Sequence, residues 1–138
     1  FSNNKNEFFS LDTDGGIINW KQNINSTLRP TSIDNLIFTI TNEGFLVVLD
    51  KNSGSILRMT NVFDVFRKKK RSKIKPEGFI VGNKNIYLTT SNGRLLIIDL
   101  LLGKTKKVLK IDGEKISRPF VRGKNLFIIK NNAIIKLN

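Results

Sequence analysis

The chain has 138 residues, with 24 Lys and Arg against 11 Asp and Glu, and a formal net charge of +13. It contains no cysteine and no histidine, which excludes catalysis or metal binding through thiol and imidazole groups and leaves the redox compartment open. The excess of positive charge favours contact with an acidic protein, an anionic membrane or a nucleic acid.

The first predicted element is a tight turn that recurs along the chain. Its motif is Asp-x3-Gly, which begins at Asp12, Asp50 and Asp99. Aspartate accepts hydrogen bonds from backbone amides two residues on, and glycine takes the positive φ that such a turn requires. The spacings of 38 and 49 residues indicate a repeat of about 40 residues with one insertion of about ten. The structural residues of the repeat are Asp12, Gly16, Trp20, Asp50, Gly54, Asp99 and Gly103.

Residues 1–28 form the first unit, which is partial. We expect the chain to begin in the tail of a second strand, and a fourth strand is predicted over residues 17–22. Trp20 lies in that strand and is a large flat group suited to filling the gap between neighbouring sheets. Arg58 and Lys107 occupy the same place in later units. Either their aliphatic stems lie over the next sheet with the charged heads in water, or other residues fill those gaps.

Residues 29–66 form the first complete unit. Its strands are predicted to begin after Pro30 and to cover residues 36–40, 45–50 and 55–60, with a hairpin turn at residues 42–44. The strand at 45–50, FLVVLD, is apolar on successive residues, which indicates that both of its faces are covered. Residues 60–66 either extend the fourth strand beneath the following loop or form an exposed apolar patch.

A basic insertion follows at residues 67–75, RKKKRSKIK, in which seven of nine residues are positively charged. Three interpretations are open: a solvated loop, a contact with an acidic partner or anionic lipid headgroups, and sequence-independent binding of nucleic acid. The lack of interleaved aromatic residues disfavours nucleic acid. We expect the loop to share a face with the hairpin turns at 42–44, 91–93 and 131–133. The candidate partner-binding residues are Arg67, Lys68, Lys69, Lys70, Arg71 and Lys73.

Residues 74–116 repeat the complete unit, and residues 117–138 repeat part of it. The predicted strands are 86–90, 94–100 and 104–111 in the former, and 126–130 and 133–138 in the latter, where no fourth strand follows. Arg29, Lys75 and Arg118 each precede a proline that opens a unit. They either line a central channel with positive charge or make hydrogen bonds between neighbouring sheets.

Four short antiparallel strands in each unit of about 40 residues predict a β-propeller. A two-layer sandwich hides one face of each sheet, whereas sheets stacked side by side hide both. The predicted fold is therefore an all-β propeller fragment of about three four-stranded antiparallel blades. Propellers commonly have at least four blades, so we expect a C-terminal portion of a longer protein. Self-association, for example of two three-blade arcs into a six-blade ring, would cover the exposed blade faces.

The segment LDTDGGIINW resembles the tryptophan-docking repeat of the quinoprotein-type (PQQ-like) β-propellers. The resemblance covers essentially the whole chain and concerns two subfamilies. Quinone-dependent dehydrogenases bind their cofactor and calcium in the central channel, beneath an adjacent pair of cysteines. BamB-like lipoproteins have the propeller without a cofactor and are scaffolds in outer-membrane β-barrel assembly.

The absence of cysteine, and the location of Asp12, Asp50 and Asp99 on structural turns, favour the BamB-like subfamily. The resemblance then implies a periplasmic, outer-membrane-associated scaffold that has no cofactor, metal or catalytic residues and binds a protein, such as an outer-membrane assembly subunit. One alternative is a portion of a PQQ-dependent dehydrogenase. A second is a basic propeller that binds nucleic acid or anionic lipid.

Overall fold

The computed structural model describes residues 1–3 and 5–137 and is almost entirely β-structure. Asn138, the last residue of the strand predicted at 133–138, lies outside the described residues. The strands are β1 (Glu7–Leu11), β2 (Ile18–Asn23), β3 (Thr31–Ile33), β4 (Leu36–Ile40), β5 (Phe45–Asp50), β6 (Ile56–Asn61), β7 (Pro76–Val81), β8 (Asn85–Thr90), β9 (Arg94–Asp99), β10 (Thr105–Lys110), β11 (Phe120–Arg122), β12 (Asn125–Lys130) and β13 (Ala133–Leu137). A single described helix, α1 (Lys68–Arg71), lies between β6 and β7.

The strands form four antiparallel sheets in which consecutive strands are neighbours. Sheet 1 contains β1 and β2, sheet 2 contains β3 to β6, sheet 3 contains β7 to β10, and sheet 4 contains β11 to β13. The predicted strands all form, with bounds that differ by one residue at several ends. The fourth strands begin one residue later than predicted, because the residue after each turn glycine still belongs to the turn; for example, the Asp50 amide donates to the Ser55 carbonyl at 2.9 Å.

Strand β5 shows why the sheets stack side by side. Leu46 and Val48 belong to the core between sheets 2 and 3, whereas Val47 and Leu49 belong to the core between sheets 1 and 2. All four side chains are buried. The uninterrupted apolar run therefore supplies two cores at once, as predicted for a strand covered on both faces.

Sheet 4 packs on sheet 3 in the same way. Leu126 and Leu137 of sheet 4 face Tyr87 and Leu95 of sheet 3 across a cavity. The Arg118 Nε atom donates to the Phe79 carbonyl at 3.2 Å. Of the two interpretations of the basic residues before proline, the hydrogen bond between neighbouring sheets is therefore the one that applies to Arg118. The other two, Arg29 and Lys75, are exposed.

The side chain eight residues after each of the first two turn aspartates docks on the turn of the next sheet, whereas Lys107, eight residues after Asp99, is exposed. The Trp20 Nε1 atom donates to the Lys51 carbonyl at 2.9 Å, and a Cβ atom at Gly54 would lie 2.4 Å from the indole ring. Arg58 docks in the same way on the turn of sheet 3: its guanidinium group donates to the carbonyls of Leu100 (2.7 Å) and Leu101. Neither sequence interpretation of Arg58 describes this, since the charged head binds backbone of the neighbouring sheet.

The turn aspartates cap the amides that follow them. The Asp50 carboxylate accepts hydrogen bonds from the Asn52 and Ser53 amides at 3.0 and 2.8 Å, and Gly54 has φ +71°. The hydrogen bond from the Ser53 amide, aided by the Ser53 hydroxyl, holds the pKa of Asp50 below its ordinary value of 3.8. At Asp99 the pKa is lowered first by the Leu102 amide and then by Lys106.

These lowered pKa values predict a loss of stability in acid. A carboxyl whose pKa is lower in the folded state stabilises the fold above the pKa of the unfolded chain, and this contribution disappears as pH falls through the folded pKa. We expect the free energy of unfolding, measured in urea, to decrease below about pH 4. The Asp99→Asn variant should show a weaker decrease than the parent. Parallel profiles for parent and Asp99→Asn would contradict this assignment.

Candidate partner-binding surface

The segment after β6 forms the base of the candidate surface. Val62 and Phe63 are fully buried, and the Val62 amide donates to the Gly44 carbonyl at 2.9 Å. The Phe63 ring lies directly against Gly44, where a Cβ atom would be 2.2 Å away, and the Phe66 ring meets Phe63 edge-on with centroids 5.8 Å apart. Residues 62–66 therefore pack beneath the loop, as in one of the two interpretations, but they do so as a turn, because the fourth strand β6 ends at Asn61 and is not extended.

The basic insertion, predicted as a loop, contains the helical turn α1. Its residue Arg71 folds back onto the base: one guanidinium nitrogen lies 2.9 Å from the Asp64 carboxylate, and the Nε atom donates to the Phe66 carbonyl at 2.9 Å. Ile74 is buried in the core between sheets 2 and 3. Because these contacts anchor both sides of the turn, the insertion has a defined shape that its charge alone did not predict.

These contacts divide the six candidate residues into two groups. Arg71 is an internal anchor. The other five are exposed, and no salt bridge or side-chain hydrogen bond is found for them in the described part of the chain. We call these five residues the basic ridge: Arg67, Lys68, Lys69, Lys70 and Lys73. The sequence signal for this division is Asp64, the nearest acid before the basic insertion.

The basic ridge lies between two of the hairpin turns with which it was expected to share a face. The Lys75 amide donates to the Ser91 hydroxyl at 2.9 Å, and the Ser91 amide donates to the Lys75 carbonyl at 2.8 Å. On the other side, Val62 and Phe63 hold the turn at Gly44. Lys69, Lys70 and Lys73 line a cavity together with Ile74 and Asn92.

Two carboxylates near the ridge are paired with cations outside it. Asp64 is paired with Arg71, and Asp112 beside the Gly93 turn is paired with Lys130 at 2.9 Å. The Lys130 ammonium group is the main cause of the lowered pKa of Asp112. The surface therefore carries uncompensated positive charge on a fixed support, an arrangement that attracts an acidic partner.

Within residues 1–3 and 5–137, no group of three or more Asp and Glu residues is placed to hold a metal ion. No described helix is long and apolar enough to cross a membrane.

No protein-family model and no curated protein sequence matches the chain. Solved structures do. The chain is similar to Sqt1 from Saccharomyces cerevisiae, with TM-score 0.75 and 13% identity over 97% of this chain and 39% of that one. It is also similar to BamB from Moraxella catarrhalis, with TM-score 0.65 and 14% identity over 97% and 40%. The quinohemoprotein alcohol dehydrogenase ADHIIG from Pseudomonas putida HK5 gives TM-score 0.58 and 16% identity over 78% and 17%.

The fold is that of a β-propeller. The four sheets are its blades: two complete blades of four strands lie between blades with two and three described strands. The predicted fold class is confirmed. The chain spans about two-fifths of the length of Sqt1 and BamB, and the identities are too low to carry over what those proteins do.

Proposed function

We propose that this propeller segment binds a protein partner through the basic ridge and has no catalytic activity. The observation that carries the proposal is that five exposed cations have no described ion partner, although the turn that presents them is anchored by Arg71 and Ile74. A solvated loop needs no such anchoring. Because the backbone of the turn is fixed, only the side chains of the ridge lose conformational entropy when they meet an acidic surface.

We extend the proposal to a BamB-like role, in which the partner is an acidic surface of an outer-membrane assembly subunit and the location is the periplasm. The resemblance of LDTDGGIINW to the tryptophan-docking repeat and the similarity to a BamB structure support this extension. Self-association of the chain stays a prediction.

The binding test compares two variants with the same net charge. In the ridge variant, all five ridge residues become glutamine. In the control, five exposed cations elsewhere become glutamine: Lys5, Lys51, Lys110, Arg122 and Lys136. We expect the ridge variant to bind outer-membrane assembly subunits about tenfold or more weakly than the parent, and the control to bind like the parent.

Equal loss in the two variants would show that net charge alone drives binding, and unchanged binding of the ridge variant would remove the ridge from the function. Retention on DNA that fades steeply with salt would instead support nucleic-acid binding. A saturable spectral change on titration with quinone and calcium would support the dehydrogenase alternative.

A further inference from the structure

The turn of blade 3 differs from the other two Asp-x3-Gly turns in what it presents to water. The three residues after Asp12 are Thr, Asp and Gly, and those after Asp50 are Lys, Asn and Ser, whereas those after Asp99 are all leucine. Leu101 is 84% exposed and Leu102 is 64% exposed. Single exposed apolar residues are common on protein surfaces, whereas here two large neighbours form an exposed apolar tip on a turn.

Most backbone N–H and C=O groups of this turn are already hydrogen-bonded within the protein and do not need water as a partner. The Leu101 and Leu102 amides both donate to the Asp99 carboxylate at 2.9 Å, and the Leu100 and Gly103 amides donate to the carbonyls of Lys84 and Asp99. The Leu100 and Leu101 carbonyls accept from Arg58, and the Gly103 carbonyl accepts from Thr60. All four amides and three of the four carbonyls of residues 100–103 are thus bonded within the protein, which lowers the cost of moving this turn out of water.

Exposed lysines surround the leucine tip. Lys84 and Lys106 line a cavity with Leu100 and Leu101, and the Lys104 carbonyl accepts the Asp99 amide at the base of the turn. Lys84, Lys104 and Lys106 are all exposed. The carboxylate at the turn, Asp99, accepts from its two amides and is paired with Lys106 at 3.1 Å, so the net positive charge at the tip comes from Lys84 and Lys104. The tip therefore combines an apolar point with a positive rim.

We propose that the Leu101–Leu102 turn inserts into the headgroup region of an anionic lipid bilayer, where the leucines enter the acyl boundary and the lysines meet phosphate groups. The exposure of both leucines and the charge around them favour a lipid surface, because a protein partner would have to supply a matching cleft. Weak apolar insertion together with basic residues is the combination that gives stable peripheral binding. The proposal does not depend on the basic ridge.

The test is cosedimentation of the chain with vesicles of phosphatidylcholine alone or of phosphatidylcholine mixed with phosphatidylglycerol. We expect binding to the anionic vesicles only, and at least about tenfold weaker binding for L101S/L102S. The matched control is I17S/I18S, which removes an exposed apolar pair (67% and 54%) that follows the turn containing Asp12 and Asp14. This control and the ridge variant should bind like the parent.

A probe at the tip gives a second readout. Because the chain has no cysteine, a Leu101→Cys variant accepts one environment-sensitive fluorophore, and Ile17→Cys is its control. We expect a blue shift on anionic vesicles for the label at position 101 and none at position 17. Equal vesicle binding of the parent and L101S/L102S would overturn the proposal. Absence of vesicle binding, the result expected if the turn docks into a protein cleft, would also overturn it.

Discussion

Replacing Phe63 with alanine is expected to lower the free energy of unfolding by about 3–5 kcal/mol. Phe63 is 0% exposed, lies in the core between blades 2 and 3, and covers Gly44 with its ring. Its removal leaves a cavity that the surrounding strands cannot close, since Gly44 has no side chain to offer. Urea denaturation followed by circular dichroism measures the change.

Val65→Ala is the control for this prediction. Val65 lies two residues further on and is 47% exposed, so its truncation should cost less than about 1 kcal/mol. The base segment carries the basic ridge, and Phe63→Ala should therefore also speed hydrogen exchange of the α1 amides. A loss of stability no larger than that of Val65→Ala would mean that residues 62–66 are not part of the core.

Gly54→Ala is expected to cost about 2–5 kcal/mol through two separable causes. A residue with a side chain pays about 1–2 kcal/mol at the φ of +71° found here. The added methyl group also meets the Trp20 ring, and overpacking of this kind costs about 1–3 kcal/mol. The free energy of unfolding of Gly54→Ala, measured by chemical denaturation, gives the sum of the backbone cost and the overpacking cost.

The chain offers a control for each cause. Gly16 has nearly the same φ, +66°, but nothing lies within 4 Å of the Cβ position, so Gly16→Ala should show the backbone cost alone. In a Trp20→Ala background, Gly54→Ala should likewise fall to the backbone cost, which a double-mutant cycle reports as coupling. Equal costs for Gly16→Ala and Gly54→Ala, with no coupling to Trp20, would contradict docking of blade 1 on the turn of blade 2.

The sequence was sufficient to predict the turns and the burial of the strands, because these depend on residues that are neighbours in the chain. The Asp-x3-Gly turns and the hairpin turns depend on residues that accept or require special backbone conformations, so their positions could be read directly. The unbroken apolar run of β5 predicted burial on both faces, and from that followed the stacked blades. The fold class could therefore be predicted from residues that act within one repeat.

The features that were not predicted depend on three-dimensional contacts, some of which join different repeats. Arg58 and the Leu100 carbonyl are 42 residues apart, and no local pattern announces their hydrogen bond. The helical turn α1 forms where the sequence predicts a loop, and Arg71 holds it through Asp64 and the Phe66 carbonyl. The division of the six basic candidates into one anchor and five ridge residues likewise required coordinates.

The interblade docking that supports the whole account can be measured at a single atom. The chain contains one tryptophan, so its ¹⁵N-labelled form has one indole N–H resonance. The account predicts slow solvent exchange of this proton, which is bonded to the Lys51 carbonyl, and a nuclear Overhauser effect between the indole ring and Gly54. Rapid exchange together with no contact to Gly54 would show that blade 1 does not dock on blade 2, and would contradict the stacked-blade structure on which both proposals rest.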